Sequence, residues 1–413
     1  MGGGHSRVNA ANLPIPPPRC TLIPATDPRL HFRGRHVKKE GCIYFDWPCT
    51  SFKLQVASRR VWLRMDGARN YFNILINGIL VCVLKTHSDV RDYLMPSPEP
   101  ASEASYILEV QKRSEAKIGS LTQKPTSVVH LHGIILEDSG SLEELRLEDT
   151  QSSVRLEFLG DSETSGFGNL GPSQPGVPGL KSMLTMNVAH QDAMKAWPAV
   201  VAEAFDADFH SISWSGAGVL WNAPGCSADA NFLGLYSRML GASEDVKIDH
   251  EWRPDAIVSY LGGNDWWSLA QHGDEALIRG FQDFLKHLRE LRGPGVIILV
   301  LLAAPSSVCA CIGSLEDQAT FAADMSRCWR AAASAANEGE DPKVFLEVVE
   351  PKPPCSLSEA ADWGHMGHWS VQGNAKWAAA VIPILQRRLG WTEQLLKMSE
   401  DGPSLEGSNG SEV

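Results

Sequence analysis

L-E-F-L-G-D-S-E-T-S-G-F-G-N, Leu156 to Asn169, is the stretch that decides the fold. An apolar run ends at Gly160, and a serine, Ser162, follows almost at once. That is the pattern of a parallel strand handing over to a helix, with a hydroxyl exposed at the carboxyl end of the strand. Open α/β sheets hold their ligands at that end. The Oγ of a serine on such a turn is accessible, and its own backbone N–H can serve an oxyanion. G-D-S alone would equally suit a turn with Asp161 as helix cap; the long flank raises it above that.

Working downstream, apolar strand candidates at Val154–Leu159, Phe209–Trp214, Ala256–Leu261, Val296–Leu302 and Val344–Val349 alternate with helical stretches. The helices are expected near Ala189–Phe205, Glu275–Leu291, Leu315–Ala336 and Val371–Leu389. Such alternation predicts a parallel sheet covered on both faces. Upstream the texture is β. Ile43–Trp47, Phe52–Val56, Val61–Met65, Tyr71–Gly78 and Val128–Leu136 alternate in polarity, punctuated by Asp66-Gly67 and Asn77-Gly78. That predicts an antiparallel, jelly-roll-like sandwich. Residues 94–105 read as a loop. The expected layout is a flexible lead over 1–25, a β-sandwich over 26–150, an α/β domain over 151–395 and a polar, disordered tail over 398–413.

Composition narrows the partners. The chain has 413 residues, 43% of them hydrophobic and 21% charged, which excludes a mainly disordered or fibrous protein. With 49 acidic residues against 37 Lys and Arg, the formal net charge is −12. Without a basic block, nucleic-acid binding is not expected. No apolar run reaches the ~18 residues a membrane span needs; Val296–Ala304 is too short and reads as a buried strand. Nine cysteines lack a zinc-type spacing and suggest thiols in a reducing compartment. The start M-G-G-G-H-S has no apolar secretory segment but matches a myristoylation pattern at Gly2. The expectation is a cytoplasmic protein, with reversible membrane association through Gly2 as the weaker alternative to a plain Gly-rich lead.

Three further blocks carry chemistry. H-S-I-S-W-S-G-A-G-V, His210 to Val219, follows the second strand, and Gly216 would let a backbone N–H approach a substrate oxygen. I-V-S-Y-L-G-G-N-D-W-W, Ile257 to Trp267, follows the third, and Asn264 can add a side-chain amide. Ser162 N–H, Gly216 N–H and Asn264 Nδ2 would make a three-donor oxyanion hole; each position also has a plain structural use as turn or cap. A-D-W-G-H-M-G-H-W-S-V-Q-G-N, Ala361 to Asn374, precedes the last helix and offers His365 and His368 as general bases. Two His and an Asp there invite a metal, but no second ligand cluster accompanies them, so neither metal nor cofactor is expected. Trp266, Trp267, Trp363 and Trp369 flank the blocks and would stack on a sugar ring or pack the core.

Taken together, the blocks resemble the SGNH (GDSL) hydrolase superfamily, and most closely carbohydrate esterase family 2. Gly160-Asp161-Ser162 with its long flank, Ser215-Gly216-Ala217-Gly218, Gly262-Gly263-Asn264-Asp265 and the set Asp362, Gly364, His368, Ser370, Gly373 match that family in order. Upstream, Gly34-Arg35, Trp47-Pro48-Cys49-Thr50 and Lys112-Arg113-Ser114-Glu115-Ala116-Lys117-Ile118-Gly119 resemble its N-terminal sandwich. The resemblance spans roughly residues 30–390 and implies an SGNH-type parallel sheet flanked by helices. It also implies an acetyl esterase acting on acetylated carbohydrate, with Ser162 as nucleophile and His368 as base. This chain departs from the pattern in the last block. Met366 stands where the family has an Asp, Trp369 where it has a Pro, and Asn374 where it has a second His. If the site works, a backbone carbonyl of the 362–367 loop is the first candidate to orient His368, and the Asp362 carboxylate the second. The competing readings are a lipase or thioesterase of the same superfamily and a carbohydrate-binding pseudoenzyme.

Overall fold

The computed structural model describes residues 7–8, 16, 19–98, 105–119, 123–146, 152–174, 179–248, 251–338, 343–353 and 355–390. Gly2, the tail over 398–413 and the boundary expected at 150/151 lie outside them.

Two sheets face each other in the N-terminal half. One joins Ile79–Lys85, Tyr71–Ile76, Tyr106–Lys112, Ser51–Ala57 and Ser141–Glu143 in that order, with His31–Arg33 also on Ser51–Ala57 and Arg7–Val8 along Ile79–Lys85. The other joins Val90–Leu94, Val61–Asp66, Val129–Glu137, Cys42–Phe45 and Val37–Lys39, with Cys20–Pro24 beside Val129–Glu137. Apart from Arg7–Val8 the pairings are antiparallel. Alternation does the sorting: Phe52, Leu54 and Val56 are fully buried between the sheets, whereas Lys53 and Gln55 face outward. Asn77 and Gly78 both take positive φ, the condition for the tight turn that joins Tyr71–Ile76 to Ile79–Lys85. Cys20–Pro24, expected within the flexible lead, is instead a paired strand.

The C-terminal half is a five-stranded parallel sheet: β1 (Arg155–Gly160), β2 (Asp208–Ser213), β3 (Ala256–Tyr260), β4 (Ile297–Ala303) and β5 (Val344–Val349). Its order is β2-β1-β3-β4-β5. All five strands run parallel, and the strand order reverses between the β1/β3 neighbours; the crevice at such a switch point is where doubly wound sheets bind ligands. β1 is followed by the short α1 (Ser162–Ser165). The sheet is covered by α2 (Trp197–Ala204), α3 (Trp266–His272), α4 (Asp274–Arg292), α5 (Leu315–Ala336) and α6 (Val371–Leu389). α5 opens on a reciprocal cap between Ser314 and Asp317, and α6 on Ser370, whose Oγ accepts from Gly373 N–H. The single long helix expected over Ala189–Phe205 is broken. Asp192 caps a 3₁₀ turn over Ala193–Lys195, and α2 starts only at Trp197, with Pro198 in its first turn. None of the described helices is long and apolar enough to cross a membrane.

The halves meet through buried polar anchors. Glu157 on β1 accepts from Arg35 of the sandwich at 3.0 Å and from Arg292 of α4 at 2.6 Å. Burial would raise this carboxyl, but the two guanidinium groups bring it down to about 2. Trp47 Nε1 donates to the Met239 carbonyl, and Asp46 accepts from the N–H groups of Gly241 and Ala242. Seven cysteines are unpaired, as expected. Cys309 and Cys311 are joined by a disulfide.

Candidate active site

The sequence after β1 builds the nucleophile corner. Asp161 caps α1 by accepting from Glu163 N–H, and Gly166 ends the helix in the left-handed region. This leaves Ser162 half-buried at the first helical position, just past the carboxyl end of β1. His368 Nε2 lies 2.9 Å from Ser162 Oγ. Its other ring nitrogen, Nδ1, lies 3.2 Å from the Met366 carbonyl. Met366 is a non-glycine residue at φ 57, followed by Gly367 at φ 75. That left-handed pair turns the carbonyl back under the ring two residues on. With Nδ1–H donating to the carbonyl, Nε2 carries the lone pair that faces the serine. Burial holds His368 down at about 4, so the ring is neutral at physiological pH.

His365 is not in contact with the serine. It is fully buried, with Nε2 2.8 Å from the Ser182 carbonyl. Asp362 does not reach His368 either. Its Oδ2 accepts from the N–H groups of Ser358 and Glu359, and Lys376 Nζ sits 2.8 Å from the carboxylate. Asp362, expected as a possible orienting acid, instead holds Lys376 of α6 and two N–H groups. Ser370 and Gly373, the most regular part of the last block, are cap and close packing. A Cβ on Gly373 would fall 2.3 Å from the Asp362 carbonyl.

Around Ser162 the expected oxyanion donors gather at one cavity of about 310 Å³, lined by Ser162, Gly216, Asn264, Trp267 and His368 among others. The N–H groups of Ser162 and Gly216 have no acceptor among the described residues. Gly216 takes φ 82, and a Cβ there would meet Cys226 at 3.0 Å. Asn264 is placed as expected but occupied, with Nδ2 3.0 Å from both Asp161 Oδ2 and the Ala217 carbonyl. To serve an oxyanion it must turn one proton away from them. Burial raises Asp161 to about 7, reinforced by the Asp265 carboxylate. A carboxyl that is partly neutral accepts more weakly and yields that proton more readily.

Three supports were not singled out in the sequence as site residues. Asp265 accepts from the N–H groups of Val219, Leu220 and Trp221, fixing the loop that carries Gly216. Glu115, from the sandwich, accepts from Ser215 N–H and Oγ beside it. Glu163 Oε2 accepts from Trp369 N–H, tying the serine corner to the histidine loop. All three are acidic residues inside or beside matched blocks, and that placement was the available clue; their partners are not legible from spacing.

The tryptophans separate. Trp267 is 50% exposed and lines the cavity. Trp266 is turned away, with Nε1 on Asp324 and its ring against Phe321. Trp369 is fully buried against Tyr260 and Trp377, which corrects its expected role in stacking on substrate.

Comparison with known proteins agrees with this architecture. Residues 32–128 match the family model described as Carbohydrate esterase 2 N-terminal. An acetylxylan esterase / glucomannan deacetylase from Cellvibrio japonicus is 26% identical over 265 residues, which cover 62% of this chain and 68% of the relative. Among solved structures, a family two carbohydrate esterase from Clostridium thermocellum, in complex with cellohexaose, superposes with a TM-score of 0.71 at 17% identity. That match covers 88% of this chain and 100% of the other. A family two carbohydrate esterase from Cellvibrio japonicus gives 0.68 at 20% identity, covering 90% and 98%.

Proposed function

We propose, on the premise that this chain is built as a family two carbohydrate esterase, that it is a serine carboxylic-ester hydrolase removing O-acetyl groups from poly- or oligosaccharides. The observation that carries the reading is the contact of a neutral His368 ring with Ser162 Oγ at 2.9 Å, beside two open N–H donors. Ser162 Oγ attacks the acetyl carbonyl while His368 Nε2 takes its proton. The N–H groups of Ser162 and Gly216, joined by Asn264, hold the tetrahedral oxyanion. His368 then protonates the departing sugar oxygen. Water, deprotonated by the same ring, releases acetate from the acetyl-serine. The Met366 carbonyl fixes the tautomer but offers the imidazolium no full negative charge, so turnover is modest beside a carboxylate triad. Trp267 gives the open rim a flat face for a sugar ring.

The test is release of acetate from acetylated xylan, acetylated glucomannan and an aryl acetate, with Ser162→Ala as control. Acetate release that vanishes in the variant supports the reading; equal release by a folded variant refutes it. A second reading has one specific observation behind it. The inner cavity wall is apolar, with Leu301, Leu302, Val308, Ile312, Phe321 and Met325. Such a wall suits an acyl group longer than acetyl. A chain-length series of aryl esters decides: kcat/KM falling from acetyl to butyryl and hexanoyl favours the deacetylase, and a rise favours the acyl esterase.

A further inference from the structure

Cys311 stands in the second 3₁₀ turn after β4, Ala310–Ile312, which Cys309 caps, and both line the same cavity as Ser162 and His368. Neither belongs to the matched blocks, and the proposed reaction uses neither. Cys309 Sγ lies 3.1 Å from the carbonyl of Gly367, the residue before His368. One ligand atom from each of Cys309, Cys311 and His368 falls within 4.8 Å of the others. Ligands on a tetrahedral zinc ion, with Zn–S of about 2.3 Å and Zn–N of about 2.0 Å, sit roughly 3.5 Å apart. Once the disulfide is reduced, the two sulfurs have to part to that spacing, and the histidine nitrogen lies within 4.8 Å of them already.

We propose that Cys309, Cys311 and His368 form a site for a thiophilic divalent ion of the zinc class, and that the ion takes His368 away from Ser162. This rests on the esterase reading for its consequence, inhibition, though not for the binding itself. Two thiolates and one neutral imidazole around a dication give an uncharged unit. That suits a cavity walled by Val308, Ile312 and Met325, where a net charge would be costly. Thiolates and imidazole are the ligand types that zinc prefers over magnesium or calcium. The fourth position is left to water or to Ser162 Oγ, which already touches the ring.

The disulfide makes the site conditional. In the linked form the sulfurs have no thiolate to give, and His368 remains with Ser162. A dithiol reductant supplies two electrons and two protons, becomes a cyclic disulfide and leaves two thiols; the ion then displaces both thiol protons as it binds. Oxidised protein would therefore be active and insensitive to zinc. Reduced protein would be held silent by zinc and released by a chelator.

The experiment uses the full chain in two forms, reduced with a dithiol and then freed of it, or oxidised with a diazenedicarboxamide oxidant. Cobalt(II) is added as a spectroscopic stand-in, and zinc is measured by equilibrium dialysis. The reduced form should bind one ion per chain and show thiolate-to-cobalt charge-transfer absorption; the oxidised form should show neither. Aryl-acetate hydrolysis should fall at least tenfold with zinc in the reduced form only and return with a chelator. Each of Cys309→Ser and Cys311→Ser, read as the ratio of its own rates with and without zinc, should lose that inhibition and the charge-transfer band. Binding that is equal in both forms, or inhibition that survives in both variants, overturns the site. An inactive protein that still binds cobalt through thiolates would sink the esterase reading and leave the site standing.

Discussion

The loop after β1 and the loop before α6 meet at one hydrogen bond, yet they hold their functional atoms by different means. Ser162 is placed by regular structure: a buried strand, an Asp cap and a glycine stop. His368 is placed by an irregular one. Met366 stands in a backbone region that non-glycine residues rarely adopt, and its carbonyl does the work a side-chain carboxylate would otherwise do. Orientation of a general base needs only an acceptor at the right place, and backbone can provide it. Charge stabilisation needs a carboxylate, and here none of the nearby acids is free to act. Asp362 is spent on Lys376 and two N–H groups, and Glu163 on Trp369 N–H.

The sharpest break in this comparison comes from the two reacting groups. Ser162→Ala and His368→Ala should each lower kcat by about 10⁴-fold or more, with the double variant hardly worse, because the two act as a unit. Additive losses, measured in a protein whose circular dichroism is unchanged, would show that they do not. Next is Gly216→Ala. Its φ of 82 and the Cys226 contact force the loop to shift, so kcat should fall by about 10²–10³-fold, the scale of one lost oxyanion donor. A KM effect alone would place Gly216 in binding only.

The pH profile sharpens the histidine side. His368 must be neutral to act, so kcat/KM is lost as pH falls through its pKa. Burial puts that at about 4. At pH 5 such a base stays mostly neutral, whereas one at the ordinary ~6.5 would be about thirty-fold less available. An acidic limb near 4 is expected. A limb near 6.5 would mean that the ring is hydrated in solution. Asp161, which burial raises to about 7, acts in the opposite sense: its ionisation tightens its hold on Asn264, so it would lower activity as pH rises through 7.

The smallest effects concern the missing acid. Asp362→Asn should leave kcat within a small factor of the parent. It should lower stability by about 1–3 kcal/mol, the scale of a hydrogen bond to a charged group, as read by chemical denaturation. Met366→Asp should hold or raise kcat, since Asp tolerates positive φ better than Met. If Asp362→Asn collapses kcat in a folded protein, Asp362 is the third member after all.

Much of this was legible in the sequence, and the reasons differ by region. The parallel strands were readable from short apolar runs, nearly continuous in Ile297–Ala303, that alternate with helical stretches, and α5 and α6 because Ser314 and Ser370 begin them sharply. Ser162, Gly216, Asn264 and His368 were found because each ends or follows a recognisable strand or precedes a capped helix. What failed depended on contacts remote in sequence. Cys20–Pro24 pairs with Val129–Glu137 more than 100 residues away, and no local pattern reports that. Trp369 reads the same in sequence whether it faces a sugar or a core. Asn264 lines the same cavity as Ser162, and its capture by Asp161 is a matter of side-chain geometry that spacing does not encode.

The most direct test of the Ser162–His368 pair is labelling by a fluorophosphonate, followed by peptide mass spectrometry. The probe needs an activated serine and an oxyanion site but no particular sugar. One adduct per chain, on the peptide bearing Ser162, absent in Ser162→Ala and strongly slowed in His368→Ala, is the predicted result. No adduct on wild-type protein, or labelling at another serine that survives both substitutions, would contradict the account.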